Sequence, residues 1–209
     1  MKNELITRIY SSIILIPLSL FFIIYSAHLF NLFLIGCFMI TLYEWHKMSK
    51  SKNYNIFGIL FLIFSFYSIY KLRNNFSSDY FYVLTVTIIC VSTDLGGYTF
   101  GKLFKGPKLT KISPNKTYSG VIGGYFLSLI LTFLFLHYFD FIELKENINY
   151  LLLFIILIST ASQVGDLTVS YFKRLSKIKD TGSLIPGHGG LLDRIDGMIF
   201  AFPLTYLIV

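Results

Sequence analysis

Residues 150–169 read YLLLFIILISTASQVGDLTV, and residues 170–196 continue SYFKRLSKIKDTGSLIPGHGGLLDRID. The first part is an apolar run of the length a helix needs to cross a bilayer, roughly 20 residues. The second is a polar island that holds the cations Lys173, Arg174, Lys177, Lys179 and Arg194 and the carboxylates Asp180, Asp193 and Asp196. Between them lies the turn Pro186-Gly187-His188-Gly189-Gly190. A lipid-length helix that runs straight into a charged, glycine-rich loop implies an all-α, polytopic membrane bundle with a polar site at one end.

The remainder of the chain agrees with that fold. Of its 209 residues 55% are hydrophobic and 14% charged, and the mean hydropathy of +0.67 is too high for a soluble domain of this length. Seven apolar spans are predicted, at 6–25, 27–43, 56–70, 80–100, 118–138, 150–169 and 191–209. One domain over 1–209, with its signature region at 166–196, accounts for all of them. The N-terminus runs into the first span without a cleavage site and is read as retained. Lys47, Lys50 and Lys52 mark one basic loop, Lys102, Lys105, Lys108, Lys111 and Lys116 a second, and Lys173, Arg174, Lys177 and Lys179 a third. Asp140, Glu143 and Glu146 outnumber Lys145 in the loop between spans five and six. The positive-inside rule therefore puts the N-terminus and the basic loops in the cytoplasm; Lys71 and Arg73 fall on the other side and are the exception. His28, His46, His137, Glu44, Trp45 and many Tyr sit at span ends and read as interfacial anchors, with a site contact as the alternative for Glu44.

The polar residues point to phosphate chemistry. Glycines at 187, 189 and 190 let a backbone approach an anion with its N–H groups forward, and Lys and Arg neutralise phosphate charge. Asp193 and Asp196 are three apart, so a helix beginning near Leu191 puts them on one face, where a divalent cation could sit. If the sixth span stays helical, Asp166, Ser170, Lys173 and Arg174 share a face as well, with Gln163 one turn earlier as a support for Asp166. Asp94 lies inside the fourth span, where an ionisable group costs at least about 2.5 kcal/mol on insertion scales; such a residue lines a cavity or binds something. Gly96 to Lys102 imitates the start of a P-loop. Leu103 stands where a Ser or Thr must meet magnesium, and a membrane helix replaces the required strand, so that motif is rejected. Lys116 is divided between a phosphate contact and a topology signal, and a Ser or Asn in the loop 113–117 would serve as an ordinary helix cap.

The series Ser170, Lys173-Arg174, Lys179-Asp180, Pro186, His188-Gly189-Gly190, Asp193-Arg194, Asp196 resembles the signature of the phosphatidate cytidylyltransferases, also called CDP-diacylglycerol synthases. The segments around Asp94 to Lys102 and Ser113-Pro114-Asn115-Lys116-Thr117 are similar to further stretches of that family. The resemblance implies a metal-dependent nucleotidyltransferase that moves CMP from CTP to phosphatidate for phospholipid synthesis. It implies Mg2+, with room for a second, monovalent cation, on Asp166 and Asp193, and Asp196 as a third or supporting carboxylate. Lys173, Arg174, His188 and Arg194 would act on the reacting phosphates. Ser170, Lys179, Asp180, Gly189, Gly190, Lys116 and Asp94 would hold substrate, with the Gly189-Gly190 backbone on the leaving pyrophosphate. The expected setting is a bacterial plasma membrane with the site at the cytoplasmic face.

Other functions fit less well. Nucleic acid is not expected as a partner despite the net charge of +7, because the cations lie in short loops between spans. An anion transporter would distribute polar residues through several spans, and spans one, two, three and five have almost none beyond Ser and Thr. A kinase of a lipid alcohol would keep CTP and change the acceptor, against a full match of the signature. Cys37 and Cys90 lie in apolar runs and read as core. A homodimer is left open. The 13 residues after Asp196 make only about 20 Å of helix, so the last span is expected to start with the site already at headgroup depth or not to cross fully.

Overall fold

The structure is a computed structural model that describes residues 2–74, 80–110, 113–139, 147–187 and 189–209, with the backbone alone for 2–10 and 12. Among these residues the chain forms helices α1 (Lys2–Tyr25), α2 (Ala27–Ser49), α3 (Asn55–Asn74), α4 (Phe81–Phe104), α5 (Tyr118–Phe139), α6 (Ile148–Leu175), the single turn α7 (Leu192–Ile195) and α8 (Met198–Ile208). Lys111, the acidic loop residues Asp140, Glu143, Lys145 and Glu146, and His188 lie outside the described residues.

The chain is a polytopic helical membrane protein, as its apolar runs imply. Among the described residues five helices, α2 to α6, are long and apolar enough to cross a bilayer, and Ile13–Tyr25 of α1 and Met198–Ile208 are further apolar helical segments. The predicted last span is not one helix. It divides at Asp196 and Gly197, and α8 has 11 residues, about 16 Å at 1.5 Å per residue against a hydrocarbon core of roughly 30 Å. The break packs closely on α6, where a Cβ on Gly197 would stand 2.3 Å from Ser162 Oγ. That contact holds the break against α6.

Three packing devices position the site. The first is backbone contact between α4 and α5: a Cβ on Gly96 would meet Gly123 O at 2.2 Å, and one on Gly120 would meet Gly97 O at 2.7 Å. Glycine is needed there to let two membrane helices touch. The glycines of the false P-loop are therefore packing residues inside α4.

The second device is a knot at the far end of α3. Arg73 is only 6% exposed, its Nε donates to Ile23 O at 3.3 Å, and its guanidinium lies over the rings of Phe30 and Tyr80. Its charge ties α1, α2 and the start of α4 together. Of the two exceptions to the loop-charge rule, Arg73 is thus a buried packing group.

Trp45 is the third. It was expected to be an interfacial anchor and is instead buried; its Nε1 donates to Asn55 O at 3.1 Å. Gly58 makes room for its ring, which packs edge-on against Phe172 of α6. The ring joins α2, α3 and α6 close to the polar end of the bundle.

Candidate active site

α6 brings most of the predicted groups into place. It is capped by Asn147, whose side chain accepts from the N–H groups of Asn149 and Tyr150, and it runs unbroken to Leu175, with Lys173 and Arg174 in a last turn that favours cations. Ser170 Oγ donates to Asp166 Oδ1 at 3.3 Å, and Ser170 and Lys173 are both buried, as their shared helical face requires. Arg174 departs from the expected face. It is exposed and donates to Ile178 O at 3.1 Å, which closes the end of the helix. Gln163 also differs from expectation: its Nε2 donates to Ser159 Oγ at 3.4 Å, and Ser159 in turn accepts from Thr93 of α4 at 2.8 Å.

The loop between α4 and α5 supplies a cation from the opposite wall. Leu109 N donates to Lys116 O at 2.8 Å and Tyr118 N to Pro107 O at 3.1 Å, so the loop folds back on itself. Thr117, not Ser113 or Asn115, caps α5 by accepting from Gly120 N. Lys116 is thereby carried to Asp166 and forms an ion pair with it, the two side chains 25% and 28% exposed.

Asp196 reaches the same place through close backbone contact. A Cβ on Gly165 would stand 2.7 Å from Asp196 O, so Asp166 and Asp196 are held side by side on facing segments. Asp94, exposed on α4, lies within electrostatic reach of Asp166, Lys116 and Arg194, and Asp196 within reach of Asp166, Lys173 and Asp94. Three carboxylates from three segments therefore share one field, with Lys116, Lys173 and Arg194 around them. Oxygen donors at a concentration of negative charge suit a hard divalent cation. As placed, no group of three or more His, Cys, Asp or Glu among the described residues is gathered closely enough to hold a metal ion.

Asp193 behaves differently from Asp166 and Asp196. Its Oδ1 accepts from Lys173 Nζ at 2.8 Å, and its Oδ2 from Thr181 N at 2.8 Å and Gly190 N at 3.0 Å. Burial alone would raise its pKa, but the Lys173 ammonium and the two backbone N–H groups hold the carboxyl below the usual aspartate range. It is the anchor of the loop, with both oxygens engaged.

The glycine turn is closed in the same way. Gly187 and Gly189 have φ of 76° and 93°, a region that favours glycine, and Ile185 and Gly189 exchange backbone hydrogen bonds of 2.9 and 3.2 Å. The N–H groups of Gly189 and Gly190 are thus used inside the loop, where the sequence reading had aimed them at a phosphate. Ser11 of α1 donates to Pro186 O at 2.9 Å. Lys179 and Asp180 stand exposed on the loop, and His188 is outside the described residues.

Sequence reasoning gave Glu44 only a secondary place. Expected to anchor at the interface, it is 4% exposed, and its carboxylate accepts from Leu191 N at 3.0 Å, Leu192 N at 2.8 Å and Thr181 Oγ1 at 3.0 Å. The usable signal was the one applied to Asp94, a carboxylate near the end of an apolar span.

The sequence model of the cytidylyltransferase family matches residues 6–73 and 54–209. A phosphatidate cytidylyltransferase of Rickettsia bellii is 35% identical over 212 residues, covering 99% of this chain and 91% of the relative. One from Staphylococcus haemolyticus is 44% identical over 61% of this chain and 48% of the relative; one from Staphylococcus aureus strain COL is 41% identical over 73% and 55%. The match thus spans about half the length of the two staphylococcal relatives.

Proposed function

The chain belongs to the cytidylyltransferase family, and from that premise we propose that it transfers CMP from CTP to phosphatidate, yielding CDP-diacylglycerol and pyrophosphate. The observation that carries this reading is the convergence of Lys116, Lys173 and Arg194 with Asp94, Asp166 and Asp196 at one end of a membrane bundle. Cations neutralise a triphosphate and a lipid phosphate that repel each other, and a membrane setting admits the acyl chains.

A phosphate oxygen of phosphatidate attacks the α-phosphorus of CTP, the bond from that phosphorus to the bridging oxygen breaks, and pyrophosphate leaves with the electron pair. The phosphomonoester is already a nucleophile at neutral pH, so no general base is required. Lys116 and Arg194 draw the phosphates together, and Lys173, fixed by Asp193, presents a positive charge whose position does not change during the reaction. Asp166 and Asp196, with Asp94 facing them, would hold Mg2+, which when bound screens the triphosphate charge. The basic loops support a site on the cytoplasmic side of a bacterial plasma membrane, where CTP is available.

The test is labelled CTP with phosphatidate and purified protein in detergent, with and without Mg2+. Labelled CDP-diacylglycerol formed only with phosphatidate and the metal supports the reading. Product with a polyprenol in place of phosphatidate, or none with either, refutes it.

A further inference from the structure

We infer that Glu44 is a positioning residue for the cytidylyl-transfer reaction: from α2 it fixes the loop that orients Lys173 and Asp193. The inference rests on the function proposed above. Glu44 is buried, so its part in turnover is indirect. It receives the N–H groups of Leu191 and Leu192 at the start of α7 and the hydroxyl of Thr181, a residue itself 4% exposed. The backbone N–H of that same Thr181 holds Asp193 Oδ2, and Asp193 Oδ1 holds Lys173 Nζ. A continuous series of hydrogen bonds therefore leads from α2 to the cation on α6.

The loop has been shaped around this carboxylate. A Cβ on Gly190 would stand 2.5 Å from Glu44 Oε2, and one on Gly182 would stand 2.7 Å from Oε1. Side chains at either position would displace Glu44, and Gly182 and Gly190 are thus explained by Glu44 and not by a phosphate. A carboxylate serving three donors in a buried place also costs much to remove, since each donor would be left without a partner.

The experiment compares wild type, Glu44→Gln, Glu44→Ala and Thr181→Val in detergent, measuring kcat and both KM values per folded molecule together with amide hydrogen exchange. Glutamine keeps one acceptor oxygen and alanine none. Turnover is expected to fall in the order wild type, Gln, Ala, by about 10- to 100-fold at the Ala step, with the lipid KM little changed. Exchange at Leu191 and Leu192 should rise while α5 stays protected. Thr181→Val removes a single donor and keeps the inference testable if the Glu44 variants do not fold; it should lower kcat by less than Glu44→Ala. Unchanged kcat in folded variants, or unchanged exchange at Leu191 and Leu192, overturns the inference. A wild type that makes no CDP-diacylglycerol refutes the underlying function instead, and exchange alone then decides the tether.

Discussion

Lys173 Nζ meets Asp193 Oδ1 at 2.8 Å across the junction of α6 and α7, with the two side chains 11% and 4% exposed. Removing one member of such a pair strands the other charge in a poorly hydrated place, at a cost of roughly 3–5 kcal/mol when burial is complete. Asp193→Asn is therefore expected to lose stability as well as turnover, and the same holds for Lys173→Met. The double variant removes both charges and should recover much of the melting temperature but none of the activity. Thermal unfolding followed by fluorescence, beside the CTP assay, checks both halves; a double variant no more stable than the singles contradicts the pairing.

Asp193 also gives the chain a pH dependence whose sign follows from its environment. Lys173 and the N–H groups of Thr181 and Gly190 lower its pKa in the folded state, so the unfolded chain takes up the proton first. The stability it contributes is complete above the unfolded value, about 3.9, and is lost as pH falls from there through the lower native value. Melting temperature measured across that acidic window should drop in the wild type. Asp193→Asn should lack this component, and a parallel pH profile in the variant would contradict the assignment.

Adjacent glycines of α4 should respond in opposite ways to one added methyl group. At Gly96 the new carbon falls 2.2 Å from the backbone oxygen of Gly123, whereas at Gly97 its nearest neighbour is Gly120 O at 3.8 Å. Backbone cannot rotate aside, so Gly96→Ala must separate α4 from α5 and shift Asp94, a cost of roughly 1–3 kcal/mol or more. Gly97→Ala is expected to fold and turn over as wild type, as is Gly36→Ala, which meets nothing within 4 Å. Equal melting temperatures for the Gly96 and Gly97 variants would contradict the helix contact.

What the sequence disclosed and what it withheld have physical causes. Lipid requires long apolar runs, so α2 to α6 could be read directly, and the helical period placed Asp166, Ser170 and Lys173 together. Arg174, on the same predicted face, was lost to the end of the helix, where its guanidinium serves Ile178 O. The partners of Glu44 were illegible because its donors lie 137 to 148 residues away, and its place near the end of an apolar span marked it only as a candidate. Gly197, at the break, packs against Ser162 of another helix, a contact that no propensity near Gly197 could reveal. The roles of Asp193 and the glycine turn were obscured for a related reason: spacing shows which groups are near, not which hydrogen bonds already occupy them.

Asp94 provides a test in which stability and function move in opposite directions. It lies within electrostatic reach of Asp166 and Asp196, so three carboxylates share one field with Lys116 and Arg194 as partial compensation. In protein without divalent ions that repulsion opposes folding, and Asp94→Asn relieves part of it; the variant should melt at a higher temperature than wild type after chelation. A cation bound among the carboxylates stabilises the native state by mass action, so added Mg2+ should raise the wild-type melting temperature more than that of Asp94→Asn. Turnover should fall steeply in the same variant, because the charge that destabilises the empty site is the one that would attract the metal. Stability and activity that fall together, with an undiminished response to Mg2+, would show that Asp94 only supports α4 and takes no part in the carboxylate site.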